Sequence, residues 1–315
     1  ITAATISDNG KLLAVGISGS NGLVRLYRIE SLEPTLVLSS PIDIYFAGGA
    51  SNISSLSFSQ DGEHLAATWP AAPFIAIYRI TYPTVTLLTL SAGSNTHQGV
   101  CRFARKKKSD GKSVLMMGRF ASPSRPNVYE VTGTTVTTLN SSGSTLGYPG
   151  NQGIDLNLEG TRAVVSRSGD ARFYGVLDRS SNNWVSSVSD YSDTLETSGG
   201  YHSISPNGRW IATDGFVNGS FYGIYIYEIV GTSQIRRKSL TPPGPTTSYV
   251  YGTRFSEDNL YLYYQKNQNG EPGCYLVDNG NFIVDSTYVS NLPTGGYSQQ
   301  RFAVSHKVTN IASLL

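Results

Sequence analysis

The sequence SISPNGRWIAT, residues 203–213, contains the unit whose repetition predicts the fold. An alternating apolar segment enters a polar Ser-Pro-Asn-Gly turn, and a second apolar segment leaves it. This alternation is typical of β-strands, and Asn-Gly between two such segments predicts a hairpin. Related phrases occur at 5–15, 56–68, 102–117, 154–165, 253–264 and 302–315. Because the turns recur at positions 10, 62, 111, 160, 208, 259 and 308, the chain consists of repeats of about fifty residues.

Each phrase is followed by a third and a fourth predicted strand. The third strands share an ending, as in VRLYRI (24–29), IAIYRI (75–80) and IYIYEI (224–229), and the fourth are short runs such as TLVLSS (35–40) and SQIRRKSL (233–240). Four short strands per repeat predict a small antiparallel sheet. One such sheet cannot bury both of its faces, so the repeats must stack, and radial stacking gives a β-propeller. A β-sandwich with chance self-similarity is the alternative, and the even spacing argues against it.

Two short motifs recur in these repeats. The Ser-Pro-Asn-Gly turn at 205–208 has relatives at 59–62 and 7–10, and third strands end in Tyr-Arg-Ile (27–29, 78–80) or Tyr-Glu-Ile (227–229). On these residues the chain resembles the WD-repeat and TolB-like β-propellers along nearly its whole length. The resemblance implies the fold but no particular activity, because propellers host enzymes, scaffolds and binding proteins alike. No repeat has the Trp-Asp or Gly-His pairs of true WD repeats, so their His–Asp network is not carried over.

We therefore predict an all-β fold with one propeller domain, residues 1–315. Its repeats span about 1–50, 51–99, 100–150, 151–199, 200–250 and 251–298, with a partial repeat at 299–315. The partial repeat stops after its second predicted strand, so we predict seven blades of four antiparallel strands, the last of them incomplete. Six blades with a C-terminal addition is the alternative.

Composition excludes several classes of protein. The charge is +2, from 24 basic and 22 acidic residues, and 15% of residues are charged, so a surface that coats nucleic acid is disfavoured. Two cysteines cannot form a disulfide scaffold, and we predict free thiols. No apolar stretch approaches the roughly 20 residues of a membrane-spanning helix, so we predict no membrane insertion.

The two ends of the predicted sheets carry different connections. Turns between first and second strands lie on one face, which we call the turn face. Longer segments at 41–53, 91–99, 140–153, 190–201, 241–252 and 290–300 lie on the other, the loop face. Tyrosine buries much surface while keeping a hydroxyl for hydrogen bonds, which suits recognition of sugars, peptides or another subunit. We predict Tyr148, Tyr201, Tyr251 and Tyr297 as binding residues. The alternative is that these rings only pack the loops onto the sheets.

Three arginines share one repeat position, each directly before a phenylalanine: Arg102, Arg254 and Arg301. Asp155 holds this position in the fourth repeat. We place these residues at the start of the first strand, near the channel mouth on the loop face. Converging guanidinium groups can bind a carboxylate or phosphate through paired hydrogen bonds. Salt bridges at the rim are the alternative use of these arginines.

A basic run, residues 105–108 with Lys112, lies in the turn of the third repeat. It can contact an anionic surface. Neighbouring repeats have no matching basic stripe, so a solvated, mobile turn is the favoured interpretation.

Motifs for catalysis, metal binding or cofactor binding do not occur in the sequence. There is no nucleophile elbow, phosphate loop, Cys-x-x-Cys pair or metal-type histidine spacing. We predict no catalytic residue, no metal and no cofactor. The favoured function is a non-enzymatic binding or assembly module, whose partners are subunits of a larger complex or a surface glycan or peptide.

The remaining function hypotheses rest on composition and fold. Abundant Ser, Thr, Gly, Asn and Tyr with few Lys and Glu is similar to the makeup of bacteriophage tail and other virion proteins. A secreted or periplasmic propeller that recognises glycans or peptides is one alternative. A hydrolase or lyase with its site at the channel mouth is the other.

Overall fold

The computed structural model describes fifteen ranges of the chain. The described residues are 1–18, 22–31, 36–45, 52–70, 74–88, 100–118, 126–139, 154–166, 174–180, 183–188, 202–217, 221–231, 233–240, 250–266 and 272–285. Within these ranges every regular element is a β-strand. No helix in the same ranges has the length and hydropathy to cross a membrane.

The first three repeats form three antiparallel sheets. Sheet 1 contains β1 (Ala3–Ile6), β2 (Leu12–Ile17), β3 (Leu23–Ser31), β4 (Val37–Leu38) and β5 (Ile42–Tyr45). Sheet 2 contains β6 (Ser55–Phe58), β7 (His64–Thr68), β8 (Ile75–Thr81) and β9 (Thr84–Leu88). Sheet 3 contains β10 (Cys101–Phe103), β11 (Ser113–Met117), β12 (Asn127–Thr132) and β13 (Thr135–Leu139).

The next three repeats form sheets of the same topology. Sheet 4 contains β14 (Ile154–Leu156), β15 (Arg162–Ser166), β16 (Tyr174–Ser180) and β17 (Asn183–Val188). Sheet 5 contains β18 (His202–Ile204), β19 (Trp210–Val217), β20 (Phe221–Val230) and β21 (Ser233–Leu240). Sheet 6 contains β22 (Val250–Phe255), β23 (Tyr261–Lys266), β24 (Pro272–Asp278) and β25 (Asn281–Val284). In each of them consecutive strands pair.

A buried serine holds the first turn in sheets 1, 2, 5 and 6. In sheet 2, Ser59 Oγ donates to the Asp61 carboxylate at 2.5 Å and accepts from the His64 amide at 2.9 Å. The side chain therefore replaces backbone partners that the turn cannot supply. Equivalent pairs of hydrogen bonds form at Ser7, Ser205 and Ser256. This is the physical reason for the recurring Ser-x-Asn/Asp phrase.

Positive φ angles close the same turns. Gly62 has φ +73° and Gly160 has φ +63°, in the left-handed region that glycine adopts without steric cost. Gly160 is also held close to the neighbouring sheet, because an added Cβ would lie 2.8 Å from Ala104 Cβ. In sheet 6, Asn259 takes this role with φ 61°.

The apolar core lies between neighbouring sheets in chain order. Leu26 and Val24 of sheet 1 pack in one cluster with Leu65 and Trp69 of sheet 2. Four further clusters join sheets 2 and 3, 3 and 4, 4 and 5, and 5 and 6. Burial of each large aliphatic side chain stabilises such a contact by about 1.5–3 kcal/mol. The sheets are thus stacked face to face, which confirms the predicted all-β propeller of four-stranded antiparallel blades.

Two of the predicted loops contain strand residues. Residues 42–45, predicted as loop, form β5, which pairs with β3 and continues the outer edge of sheet 1 beyond β4. The loop predicted at 241–252 also ends early, because β22 begins at Val250. Pairing with a neighbouring strand satisfies the backbone of these segments despite their polar flanks. The partial repeat at 299–315, and with it the seventh blade, lies outside the described residues.

Both cysteines are buried free thiols, as predicted. Burial raises the pKa of the Cys274 thiol to about 12, so this group stays protonated at neutral pH.

Candidate site in the central channel

The first strands of the sheets line the centre of the molecule. β1, β6, β10, β14, β18 and β22 lie beside one another in chain order. A cavity of about 50 Å³ opens among β1, β6, β10 and β22, and we call it the channel cavity. Its polar lining comprises Thr5, Asp8, Ser55, Ser57, Arg102, Arg105 and Arg254. Four strands from distant parts of the sequence thus bring three arginines and one acid to one place.

Two repeat positions supply the charged groups. Asp8, Arg105 and Glu257 each stand two residues beyond the end of a first strand, where the chain enters the turn. Arg254 and Asp155 stand one residue before the end of theirs. Side chains at these positions converge because the inner strands run beside one another around the centre.

Arg105 crosses the centre of the molecule. Its side chain is 4% exposed, and its Nη1 donates to the Phe255 carbonyl oxygen at 2.9 Å. Its Nη2 lies 3.7 Å from Asp155 Oδ2. The Asp155 carboxylate therefore balances part of the positive charge, but the distance is too long for a hydrogen bond. Among the described residues, Nε and Nη2 of Arg105 have no hydrogen-bond partner, and neither has Nε of Arg254.

Burial makes the charge on Arg105 costly. Loss of solvation, followed by repulsion from Arg254, lowers the pKa of Arg105 to about 10, against the attraction of Asp155, Asp8 and Glu257. The guanidinium group stays protonated at neutral pH. The cavity is therefore lined by two positive groups that repel each other and that keep unused N–H donors.

The pKa values of Asp8 and Glu257, the two acids at the beginning of turns, are also shifted. Burial raises the pKa of Asp8 above its ordinary value, although Arg254 and Arg105 favour its charged form. Burial and then repulsion from Asp8 raise the pKa of Glu257. Perturbed acids in a cleft are typical of functional sites, although structural ion networks perturb pKa values as well.

Asp155 and Ser57 join sheets. Asp155 Oδ2 accepts a hydrogen bond from the Ile204 amide of the next sheet at 3.1 Å. Ser57 Oγ, in sheet 2, accepts a hydrogen bond from the Phe103 amide of sheet 3 at 2.9 Å. Both side chains thus fix neighbouring inner strands, and Asp155 also serves as a counter-ion to Arg105.

Two of the three arginines predicted from the sequence lie at this cavity. Arg102 and Arg254 line it together. Arg254 is the last but one residue of β22, near the turn face, so its placement at the start of the strand and the loop-face mouth was wrong. Arg301 lies outside the described residues, as do Tyr148, Tyr201 and Tyr297. Tyr251 lies in β22, opposite Gln265, and its side chain is not among those described.

The basic turn of the third repeat differs from its prediction. Arg105 is buried in the channel instead of being solvated. Lys106 pairs with Glu159 of sheet 4 at 2.6 Å, and Lys107 pairs with Asp61 of sheet 2. The interpretation as a solvated turn is therefore wrong for Arg105, whereas Lys106 and Lys107 stay partly exposed and pair with acids of the two neighbouring sheets.

Contacts of this kind link all neighbouring turns from sheet 1 to sheet 6. Asn9 Nδ2 donates to the Asp61 carbonyl oxygen at 3.3 Å, and the Asn207 amide donates to Asn259 Oδ1 at 3.2 Å. The Leu158 amide, in sheet 4, donates to the carbonyl oxygen of Pro206 in sheet 5 at 3.0 Å. The described part of the turn face is thus held together from sheet to sheet.

A buried acid fixes sheet 3 to sheet 4 below these turns. Glu130 is 6% exposed and accepts hydrogen bonds from Lys108 Nζ and Arg179 Nη2, both at 2.5 Å. Burial alone would raise the pKa of Glu130, but these two cations hold it below its ordinary value. The acid is therefore ionised at neutral pH.

Sequence reasoning missed Asp8, Arg105 and Glu257. Arg105 was grouped with the lysines that follow it, although the repeat alignment puts it at the position of Asp8 and Glu257. Comparing this one position across repeats is the signal that finds all three. The described residues contain no group of three His, Cys, Asp or Glu side chains arranged to hold a metal ion.

Comparisons with known proteins bear on the fold. No family model matches the chain, and no curated protein matches its sequence. Among solved structures, the β-propeller domain of Cps50 (Swd1) from Myceliophteria thermophila is similar, with a TM-score of 0.61 at 12% identity over 97% of this chain and 90% of that one. A candidate 6-phosphogluconolactonase from Bacteroides uniformis has a TM-score of 0.64 at 9% identity, over 90% and 84% of the two chains. Hydrazine synthase from Kuenenia stuttgartiensis has a TM-score of 0.57 at 13% identity, over 87% and 76%. At these identities the likeness establishes the fold alone: the chain is a β-propeller.

Proposed function

We propose that this propeller is a non-enzymatic binding or assembly module that contacts its partner through the loop face. The supporting observation is the state of the opposite face. Its turns are linked from sheet to sheet. Two cations of its basic run are already paired, Lys106 with Glu159 and Lys107 with Asp61. Paired charges offer less to a partner than unpaired ones, because binding must first break the existing contacts.

The loop face supports the proposal through its sequence. Its segments combine Gly, Ser and Thr with tyrosines such as Tyr148, Tyr201 and Tyr297. Such segments supply rigid aromatic contact area with adaptable hydrogen bonding. The partner is a protein subunit of a larger assembly or a surface glycan or peptide. A component of a phage tail or virion is the narrowest form of the proposal, and it rests on composition alone.

Matched variants test which face makes the contact. The wild type and two double variants are each purified from the source cells together with the associated partner. One variant combines Tyr201→Ala with Tyr251→Ala, and the other combines Lys106→Ala with Lys112→Ala. We expect the tyrosine variant to bind roughly 5- to 150-fold more weakly, as truncated hot-spot residues do, and the lysine variant to bind as wild type. A glycan array screened with the same three proteins covers the case in which the partner is a sugar. Loss of binding in the lysine variant alone would contradict the proposal.

A hydrolase or lyase with its site in the channel is a second candidate. The favouring observation is the pair of acids with raised pKa, Asp8 and Glu257, beside Arg105 and Arg254. One similar structure is a candidate lactonase. Hydrolysis of 6-phosphogluconolactone by the wild type but not by Asp8→Asn would favour this candidate over a binding module. Equal background rates for both proteins would remove it.

A further inference from the structure

We propose that the channel cavity binds the carboxylate group of a small ligand, held between the guanidinium groups of Arg105 and Arg254. The site lies at the centre of the molecule toward the turn face. It is therefore independent of the loop-face contact proposed above.

The free edge of Arg105 carries the inference. Its Nη1 is used by the Phe255 carbonyl oxygen, while Nε and Nη2 have no hydrogen-bond partner among the described residues. Nε–H and one N–H of Nη2 form the side of a guanidinium group that matches the two oxygens of a carboxylate. A buried charged group that leaves two donors unused costs stability, and a bound carboxylate would remove that cost.

Arg254 supplies a second donor from another sheet. Its Nε also lacks a hydrogen-bond partner in the described part of the chain, and its side chain lines the same cavity. The two guanidinium groups are close enough to repel each other. An anion between them would turn this repulsion into two attractions, whereas a neutral ligand would leave it in place.

The size of the cavity limits the ligand. It offers about 50 Å³ to water-sized groups, and one water needs roughly 10–15 Å³ on this scale. A carboxylate with one or two further atoms fits that space. Formate is therefore a suitable probe, and its neutral isostere formamide is the matched control.

Five charged groups besides the two arginines face or flank this site. Asp155 already balances part of the charge of Arg105, and Arg102 lines the cavity. Asp8 interacts with both site arginines, and Glu257 interacts with Asp8, both site arginines and its neighbour Asp258. The pKa values of Asp8 and Glu257 are raised by burial, so these two competitors take up protons before exposed carboxyl groups do as the pH falls. Formate should therefore bind more tightly once the pH is low enough to neutralise these two acids.

The experiment is a calorimetric titration of the intact chain with formate at constant ionic strength. We expect saturable binding of formate, none of formamide, and at least tenfold weaker binding to Arg254→Gln and to Arg105→Lys. Arg105→Lys keeps the charge but removes the paired donors. The control Lys106→Met, in the same turn, should bind formate as wild type does. Should Arg105→Lys not fold, Arg254→Gln alone decides the question.

Three results would overturn the proposal. They are formate binding no better than formamide, unchanged affinity in Arg254→Gln, and equal loss of affinity in Lys106→Met. The second would show that Arg254 takes no part in binding, so that formate is not held between the two arginines, and the third would show that formate senses only the general charge of the turn face.

Discussion

Replacing His202 with Gln should weaken the acid sensitivity of the fold. Burial lowers the pKa of His202 from 6.5 to about 3, so the folded protein keeps this residue neutral where the unfolded chain takes up a proton. The resulting stability is fully present above pH 6.5 and is lost as the pH falls toward 3. At about pH 5 the loss spans roughly 1.5 pKa units, which corresponds to about 2 kcal/mol.

Urea unfolding followed by tryptophan fluorescence measures this effect. Wild type and His202→Gln are compared at about pH 7.5 and about pH 5. The drop in unfolding free energy between the two pH values should be smaller in the variant by about 2 kcal/mol. The contributions of Asp8 and Glu257 cancel, because both proteins contain these acids. An identical drop in both proteins would show that His202 is not the group that titrates.

Three substitutions test the packing of the turns. Ser59→Ala should lower the unfolding free energy by about 1–3 kcal/mol, because a buried hydroxyl that both donates and accepts is removed; urea titration measures it. Gly160→Ala should lower the melting temperature more than Gly111→Ala does, because both have positive φ but only Gly160 has a close neighbour; equal shifts would contradict the packing argument. Glu130→Gln should cost about 2–4 kcal/mol, because it leaves two buried or half-buried cations without their shared partner. The exposed Asp110 pairs with Lys108 and Lys112, and Asp110→Asn should have little effect in the same assay.

Most of the fold could be predicted because the same strand and turn signals recur in successive repeats. The serine turns, the third-strand endings and the period of about fifty residues are local features, and each of them appears several times. Agreement between independent copies outweighs the ambiguity of any single short strand. Strand limits were less predictable, as at residues 42–45, because pairing with β3 decides them rather than local composition.

The candidate site was less predictable, because it joins residues from distant repeats. Arg105 and Phe255 are 150 positions apart, and no local sequence pattern predicts the hydrogen bond between them. Arg102 and Arg254 were found because each precedes a phenylalanine at an equivalent position. Arg105 was missed because the lysines that follow it suggested a solvated turn. Whether an arginine is buried depends on the neighbouring sheets, and a single sequence does not show these contacts.

Hydrogen exchange of the chain with and without its co-purified partner measures which face the partner covers. We expect slower exchange in loop-face segments such as 140–153, 190–201 and 241–249 when the partner is bound. We expect no change in the turns at 7–12, 59–64 and 105–112, which are already held together by their own contacts. Protection confined to these turns, with the loop-face segments exchanging as in the free chain, would contradict the loop-face assignment.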